Sequence, residues 1–277
     1  MGRLISRISY KFINRYGVNK LVMGIAILLM IVIVAIALHW LYYKLVLEKR
    51  FDNFLEENQS PVEKQKFLAA ASLYSVDPYT NRICLRSYYL QNKLRIKLQK
   101  QAFKSSWSII DSQTALNVLN ELMSAEDSKM YESIFDQLNA NKIYDHGLYK
   151  LVNDAENIKV SEDSNIDPKA IYDCSSIEAW NYIRGANVAR ISYNLGYLSE
   201  DEAWYYLENF TMKLKKTFGT WEAASFSFLL GRFLWSNNED QSKYIETISS
   251  QFTHFEDSVV SKGVYFNMWQ RFPLQKM

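Results

Sequence analysis

The longest unbroken apolar stretch lies near the amino terminus. Leu21 to Leu38 reads LVMGIAILLMIVIVAIAL, eighteen residues without a charge, and His39, Trp40, Leu41, Tyr42 and Tyr43 prolong it to Lys44. At about 1.5 Å of rise per residue, a helix of this length crosses a hydrocarbon core of roughly 30 Å. Trp40, Tyr42 and Tyr43 fall where an interfacial aromatic belt belongs, and Lys20 and Lys44 bracket the run. The pattern predicts a basic N-terminus over 1–20, one transmembrane helix over 21–43 that has the lipid bilayer as its partner, a juxtamembrane linker over 44–64 and a soluble domain over 65–277. Ala35, Ile36 and Ala37 have the small-x-small form of a signal-peptide cleavage site. Apolar residues continue past it to Leu41, and no polar stretch precedes it, which favours an uncleaved signal-anchor.

Beyond the span the periodicity is helical. Leu90, Leu94 and Leu98 stand at i, i+4 and i+8 among Lys and Arg, an amphipathic pattern. Asp111 or Ser112 can cap a helix running to Met123, and Met130, Ile134 and Leu138 mark another. Residues 156–170 are polar, contain Pro168 and read as a loop. Ser175 with Glu178 fits a capping box that opens a helix stopping near Gly196. Ser199 with Glu202 is a second box, whose helix carries Ala203, Leu207, Phe210 and Leu214 on one stripe and stops at Gly219. Thr220 can cap a third helix through Trp235. The two short connections imply antiparallel or sharply angled neighbours. The expected fold class is mostly α: a single-pass transmembrane helix followed by one α-helical globular domain of about seven to nine helices.

Composition agrees, since 9 Gly and 4 Pro in 277 residues, with 15% aromatics, favour long helices over a turn-rich β architecture. Charge adds topology. Residues 1–20 carry Arg3, Arg7, Lys11, Arg15 and Lys20 and no acid, so the net +2 of the chain leaves −3 for the rest. A mildly acidic domain behind a basic flank argues against a nucleic-acid partner. Five basic residues before the span, against Lys44, Lys49 and Arg50 after it, place the N-terminus in the cytoplasm and the domain on the periplasmic or extracytoplasmic side of a cell inner membrane. Residues 3–16 can also form a basic amphipathic helix with Leu4, Ile8 and Phe12 on one face, suited to anionic lipid; a plain charged flank explains the same residues.

Catalytic signals are weak. His39, His146 and His254 have no recognisable partners, no zincin, nucleophile-elbow or phosphate-loop pattern occurs, and Cys84 and Cys174 form no CxxC or Cys/His cluster. The two thiols are expected to be unbonded to each other, and no catalytic residue, metal or cofactor is expected. These readings weigh against an enzyme without closing the question. The unusual feature is arginine on apolar stripes. Ile177, Trp180, Arg184, Asn187 or Val188, and Ile191 follow helical spacing; Trp221, Phe228 and Trp235 repeat every seven residues with Arg232 between the last two. A guanidinium among rings either cements helix packing through carboxylate or carbonyl partners or grips a carboxylate or phosphate ligand. Glu178, Glu202 and Glu222 are the candidate internal partners for Arg184 and Arg232, which are expected to be mostly buried. Glu178, Glu200, Asp201 and Glu202 are read as helix-start residues rather than catalytic acids.

Three segments carry a resemblance: SSWSIIDSQTALNVLNELMSAEDSKMYESIFDQL (105–138), AWNYIRGANVARISYNLGYLSEDEAWYYL (179–207) and FGTWEAASFSFLLGRFLW (218–235). Together they resemble the bacterial family of domain of unknown function 1266. The ordered set Trp180, Arg184, Ala189, Arg190, Gly196, Tyr197, Glu202, Ala203, Trp204, Thr220, Trp221, Glu222, Gly231, Arg232 and Trp235 carries the likeness. Asn181 departs from it, because members often have Asp directly after the first Trp. The resemblance implies a bacterial origin and an α-helical fold, and implies no activity. The reading that follows is a membrane-anchored helical interaction or binding module with an unknown protein partner. The alternative is a binding or enzymatic pocket for an anionic small molecule built on Arg184, Arg190 and Arg232, with Trp180, Trp221 and Trp235 as its aromatic walls.

Overall fold

The computed structural model describes residues 2–42, 45–46, 49–72, 83–126, 128, 176–236 and 271–277. Among the described residues there are eight α-helices, two short 3-10 turns and no strand. The chain divides into two compact units, Met1–Glu57 and Asn58–Met277.

In the first unit α1 runs unbroken over Gly2–Tyr42. Its Val22–Tyr42 portion has a mean hydropathy of 2.9, and none of it is buried by protein. A helix this apolar with no protein against it calls for an apolar solvent, so it is a candidate membrane span. A signal sequence has the same length and composition. Tyr43 and Lys44 lie outside the described residues. α2 (Lys49–Asn58) follows within the stretch expected to link span and domain.

The second unit is built around α6 (Glu178–Asn194), with α3 (Val62–Ser72), α5 (Ser112–Ser124), α7 (Glu200–Phe218) and α8 (Trp221–Ser236) packed against it. The sequence suggested a single apolar stripe on α6. Instead the helix is buried on nearly all sides, because Ala179, Gly185, Ala186, Ala189 and Ser192 occupy positions off the stripe and let neighbours approach closely. Its start also differs from expectation. Ile177 is the N-cap without a side-chain cap, and Ser175 lies outside the described residues. Ser176 Oγ accepts from the Glu178 N–H at 3.0 Å, and Ser227 Oγ on α8 accepts from the Ala179 N–H at 3.2 Å. The Glu178 donor is thus served locally, by Ser176 in place of Ser175, and the Ala179 donor by a hydroxyl from another helix. Glu178 is instead an acceptor for the Thr217 hydroxyl at the end of α7, 3.3 Å away.

Other boundaries follow the sequence. Gly196, at φ +78°, closes α6: its N–H reaches the Tyr193 carbonyl at 3.0 Å, and the Tyr197 N–H reaches that of Ser192 at 2.8 Å, a Schellman pattern. The Ser199–Glu202 box is formed, and Ala203, Leu207, Phe210 and Leu214 are fully buried. Gly219 ends α7 at φ +71°, and Thr220 Oγ1 accepts from the Ala223 N–H to open α8. Asp111 caps α5, with Thr114 closing its box.

The Leu90 pattern divides in two. Asn92, whose side chain accepts from the Leu94 N–H, caps α4 (Lys93–Trp107), so Leu90 stays in a preceding 3-10 turn and is buried. Leu94 and Leu98 are on α4 but 63% and 54% exposed, so the expected apolar face is not covered by the domain. Met130, Ile134, Leu138, residues 156–170, His146, His254 and Cys174 lie outside the described residues, as does the side chain of Glu222.

Candidate functional site

The sequence-predicted site residues occupy three places, the third being Trp221 alone at the start of α8. The first forms where α6 and α8 meet. A Cβ on Gly231 would lie 2.4 Å from Trp180 Cβ, so the two helices touch backbone to ring stem at this point. That approach brings the Trp180 ring to 5.1 Å from Phe228 and 5.8 Å from Trp235, centroid to centroid. Phe228 and Trp180 are buried, whereas Trp235, in the last turn of α8, is 65% exposed. On α6 Arg184 is half-buried. Its guanidinium stacks at 4.3 Å over the Trp180 ring and at 5.4 Å over Trp107, at the end of α4. Arg184 Nε donates to the Trp180 carbonyl at 2.9 Å, and Nη2 donates to Asn181 Oδ1. Arg232 follows Gly231 directly and is half-buried.

The second place is a clamp around residues 83–87. Arg190 is almost wholly buried and donates from Nη2 to the Cys84 carbonyl at 3.2 Å. Asn194, one turn on, donates to the Leu85 carbonyl at 3.0 Å and accepts from the Ser87 N–H at 2.7 Å. From the other side Ser60 Oγ accepts from the Leu85 N–H at 3.1 Å, and the Ser60 N–H donates to the Ile83 carbonyl at 3.0 Å. Gln65, also buried, donates to the Ser60 carbonyl at 2.7 Å. An irregular buried segment needs its backbone groups satisfied by side chains, and α6 with the start of α3 supplies them.

Arg184 and Arg190 therefore engage different partners. The sequence expects Arg184 and Arg232 to be mostly buried on carboxylate or carbonyl partners, and Arg184 does hold a carbonyl, that of Trp180. The burial is corrected: both are half-buried, and Arg190 is the arginine sealed in the core, on a carbonyl. Of the carboxylates proposed for Arg184 and Arg232, Glu202 is engaged in its capping box and Glu178 with Thr217 and Tyr182. Trp221 is buried and donates to the Phe272 carbonyl at 2.9 Å. It sits 14 residues before Trp235 on α8, about 21 Å along the axis. Asn181, singled out as a departure from the family pattern, is the acceptor of Arg184; the i, i+3 spacing was a legible signal for that pair. Trp107 was not foreseen, since only the tertiary fold carries α4 to α6. Burial, then the charge and hydrogen bond of Glu178, push the Tyr182 phenol well above its ordinary range.

An all-α domain with an aromatic–arginine cluster, behind a candidate N-terminal span, is the class of protein this architecture defines. The chain belongs to the family described as Protein of unknown function (DUF1266), whose match covers residues 102–274. The match takes in α5 to α8 and begins after α3 and the 83–87 segment. No curated protein and no solved structure matches the chain.

Proposed function

We propose that this is a membrane-anchored interaction module of bacterial origin that docks a protein partner through the surface around Trp235. One observation carries the reading. Trp235 exposes a large ring that packs, tilted by 41°, against Trp180, so the ring is held at the surface rather than loose. Exposed, pre-positioned tryptophan is the residue type that dominates protein interfaces. Anchoring rests on the apolar purity of Val22–Tyr42, and the Lys/Arg bias favours a cytoplasmic N-terminus with the domain across the membrane. The second reading, an anion pocket on Arg184, Arg190 and Arg232, is less favoured because Arg184 and Arg190 already engage Asn181, the Trp180 carbonyl and the Cys84 carbonyl.

A photoreactive residue in place of Trp235, in the native membrane, should give a discrete protein adduct. The same residue in place of the exposed Glu208 should give none. Equal adducts at both positions, or none at Trp235, would remove the reading. A phosphatase fused after Met277 should be active and a green fluorescent protein dark; the reverse would invert the orientation.

A further inference from the structure

We propose that α4 is a second, peripheral membrane contact: a basic helix that lies on the anionic headgroup surface of the bilayer holding the chain. The proposal rests on the anchored reading for the proximity of that bilayer, and on the geometry of α4 for everything else.

α4 carries Lys93, Arg95, Lys97, Lys100 and Lys104 and no acid. The charge of the chain is thereby segregated. With +5 on residues 1–20 and +5 on α4, the overall +2 leaves −8 for all other residues. Phe103 is the buried residue of α4, and Ile96, Gln99 and Trp107 beside it are half-covered. Leu94 precedes Phe103 by ~2.5 turns, which places it diametrically opposite. Leu98, Gln101 and Ser105 share that outward face and are exposed. Lys93, Lys97 and Lys104 line one flank of it and Arg95 the other.

Two leucines pointing away from the domain, with a row of lysines on one side and Arg95 on the other, form a short interfacial helix. The leucines can enter the acyl boundary while the lysine stems reach up to phosphate. Two of the cations pack on rings of the domain, Arg95 at 4.1 Å over Tyr89 and Lys100 at 4.9 Å over Tyr197, which leaves Lys93, Lys97 and Lys104 to meet the phosphates. Anionic lipid fits both halves of the face, since its phosphates match the charge and its chains take up the leucines.

Reach is not limiting. Residues 43–48 span at most roughly 20 Å when extended, and the ten residues of α2 add about 15 Å. A domain of this size has a radius of gyration of about 17 Å. Tethering thus raises the effective concentration of an encounter between the domain and its membrane.

The test uses the full chain in lipid nanodiscs with p-benzoylphenylalanine in place of Leu98. Discs of phosphatidylcholine alone are compared with discs rich in phosphatidylglycerol. Lipid adducts at position 98 should be about tenfold more abundant in the anionic discs and fall to the neutral level at high salt. Lys93→Glu/Lys97→Glu/Lys104→Glu should abolish the difference with an unchanged circular dichroism spectrum, because all three are exposed. Equal adduct yields in both discs would overturn the proposal. So would crosslinking of position 98 to a single-stranded oligonucleotide while the lipid yields stay equal, which would assign the face to nucleic acid. Entry into neutral discs reports separately on Val22–Tyr42. If the chain does not enter them, the anchored reading falls, and α4 is judged by flotation of the full chain with vesicles. Binding to anionic vesicles alone that Lys93→Glu/Lys97→Glu/Lys104→Glu abolishes would then support it, and binding to neither, or binding that the triple variant keeps, would overturn it.

Discussion

Arg190 and Arg184 stand six residues apart on one helix and meet different environments. Arg190 is sealed in the core, where its guanidinium holds the Cys84 carbonyl. Removing it leaves that carbonyl buried without this donor, a loss of about 1.5–3 kcal/mol for a hydrogen bond to a charged group. Arg184 is half-buried and stacks on Trp180, an arrangement worth about 0.5–2 kcal/mol. Arg190→Ala should therefore lower the melting temperature of the detergent-solubilised chain further than Arg184→Ala; the reverse order would show that the clamp is not what Arg190 supports. Two carboxylates report on the caps. The Ser199 backbone N–H and hydroxyl hold Glu202 below its ordinary pKa, and the Thr114 N–H and hydroxyl do the same for Asp111. A depressed folded pKa contributes stability that is complete above the unfolded values of 4.5 and 3.8, and that is lost as pH falls through the folded ones. Glu202→Gln should flatten the melting temperature of the chain against pH below about pH 4.5 and leave the neutral region parallel to the parent. An unchanged acid limb would mean that the box does not titrate with folding.

At the scale of elements, two glycines set how closely the helices cross. A Cβ on Gly185 would sit 2.2 Å from the Phe210 ring tip, so α7 lies against the α6 backbone there. Gly231 plays the same part between α8 and α6, against Trp180 Cβ. In an unconstrained helix, Gly→Ala would gain about 0.8–1.0 kcal/mol of propensity. Here the added methyl meets buried atoms, and overpacking costs about 1–3 kcal/mol. The Trp180 Cβ is fixed to the α6 backbone and cannot swing aside, whereas the Phe210 ring can tilt. Gly231→Ala should thus be the more destabilising of the two in chemical denaturation and should also shift Trp fluorescence, because Trp180 and Trp235 must part. A stabilised Gly231→Ala protein would mean that the close crossing is absent in solution.

At the scale of the whole molecule, the domain is larger than its family match. α3 buries Phe67, Leu68, Ala69, Ala70 and Ala71 and packs on α6 and α7, and the 83–87 segment is clamped by Arg190 and Asn194. A fragment of residues 58–277 should fold as a cooperative helical unit. One of residues 102–277 strips α3 from the core and should bind hydrophobic dyes and melt without a sharp transition; if it melts like the longer fragment, α3 is dispensable. Much of the architecture was legible. The apolar run, the Asp111 cap, the Ser199–Glu202 box, Gly196, Gly219 and Thr220 are local signals, set by backbone conformation and by donors within four residues, and each stands in the structure where the sequence put it. The start of α6 was not legible, because the Ala179 donor is satisfied by Ser227 from another helix. Nor was the division of labour among the arginines. Periodicity ranks positions by face, but α6 is surrounded, so each face meets a different neighbour and only the packing decides which arginine is sealed and which remains near the surface. The exposure of Leu94 and Leu98 belongs to the same class. An amphipathic repeat determines that a helix has an apolar side, while the tertiary structure determines whether the domain covers it, and here the one buried anchor of α4, Phe103, turns that side outward.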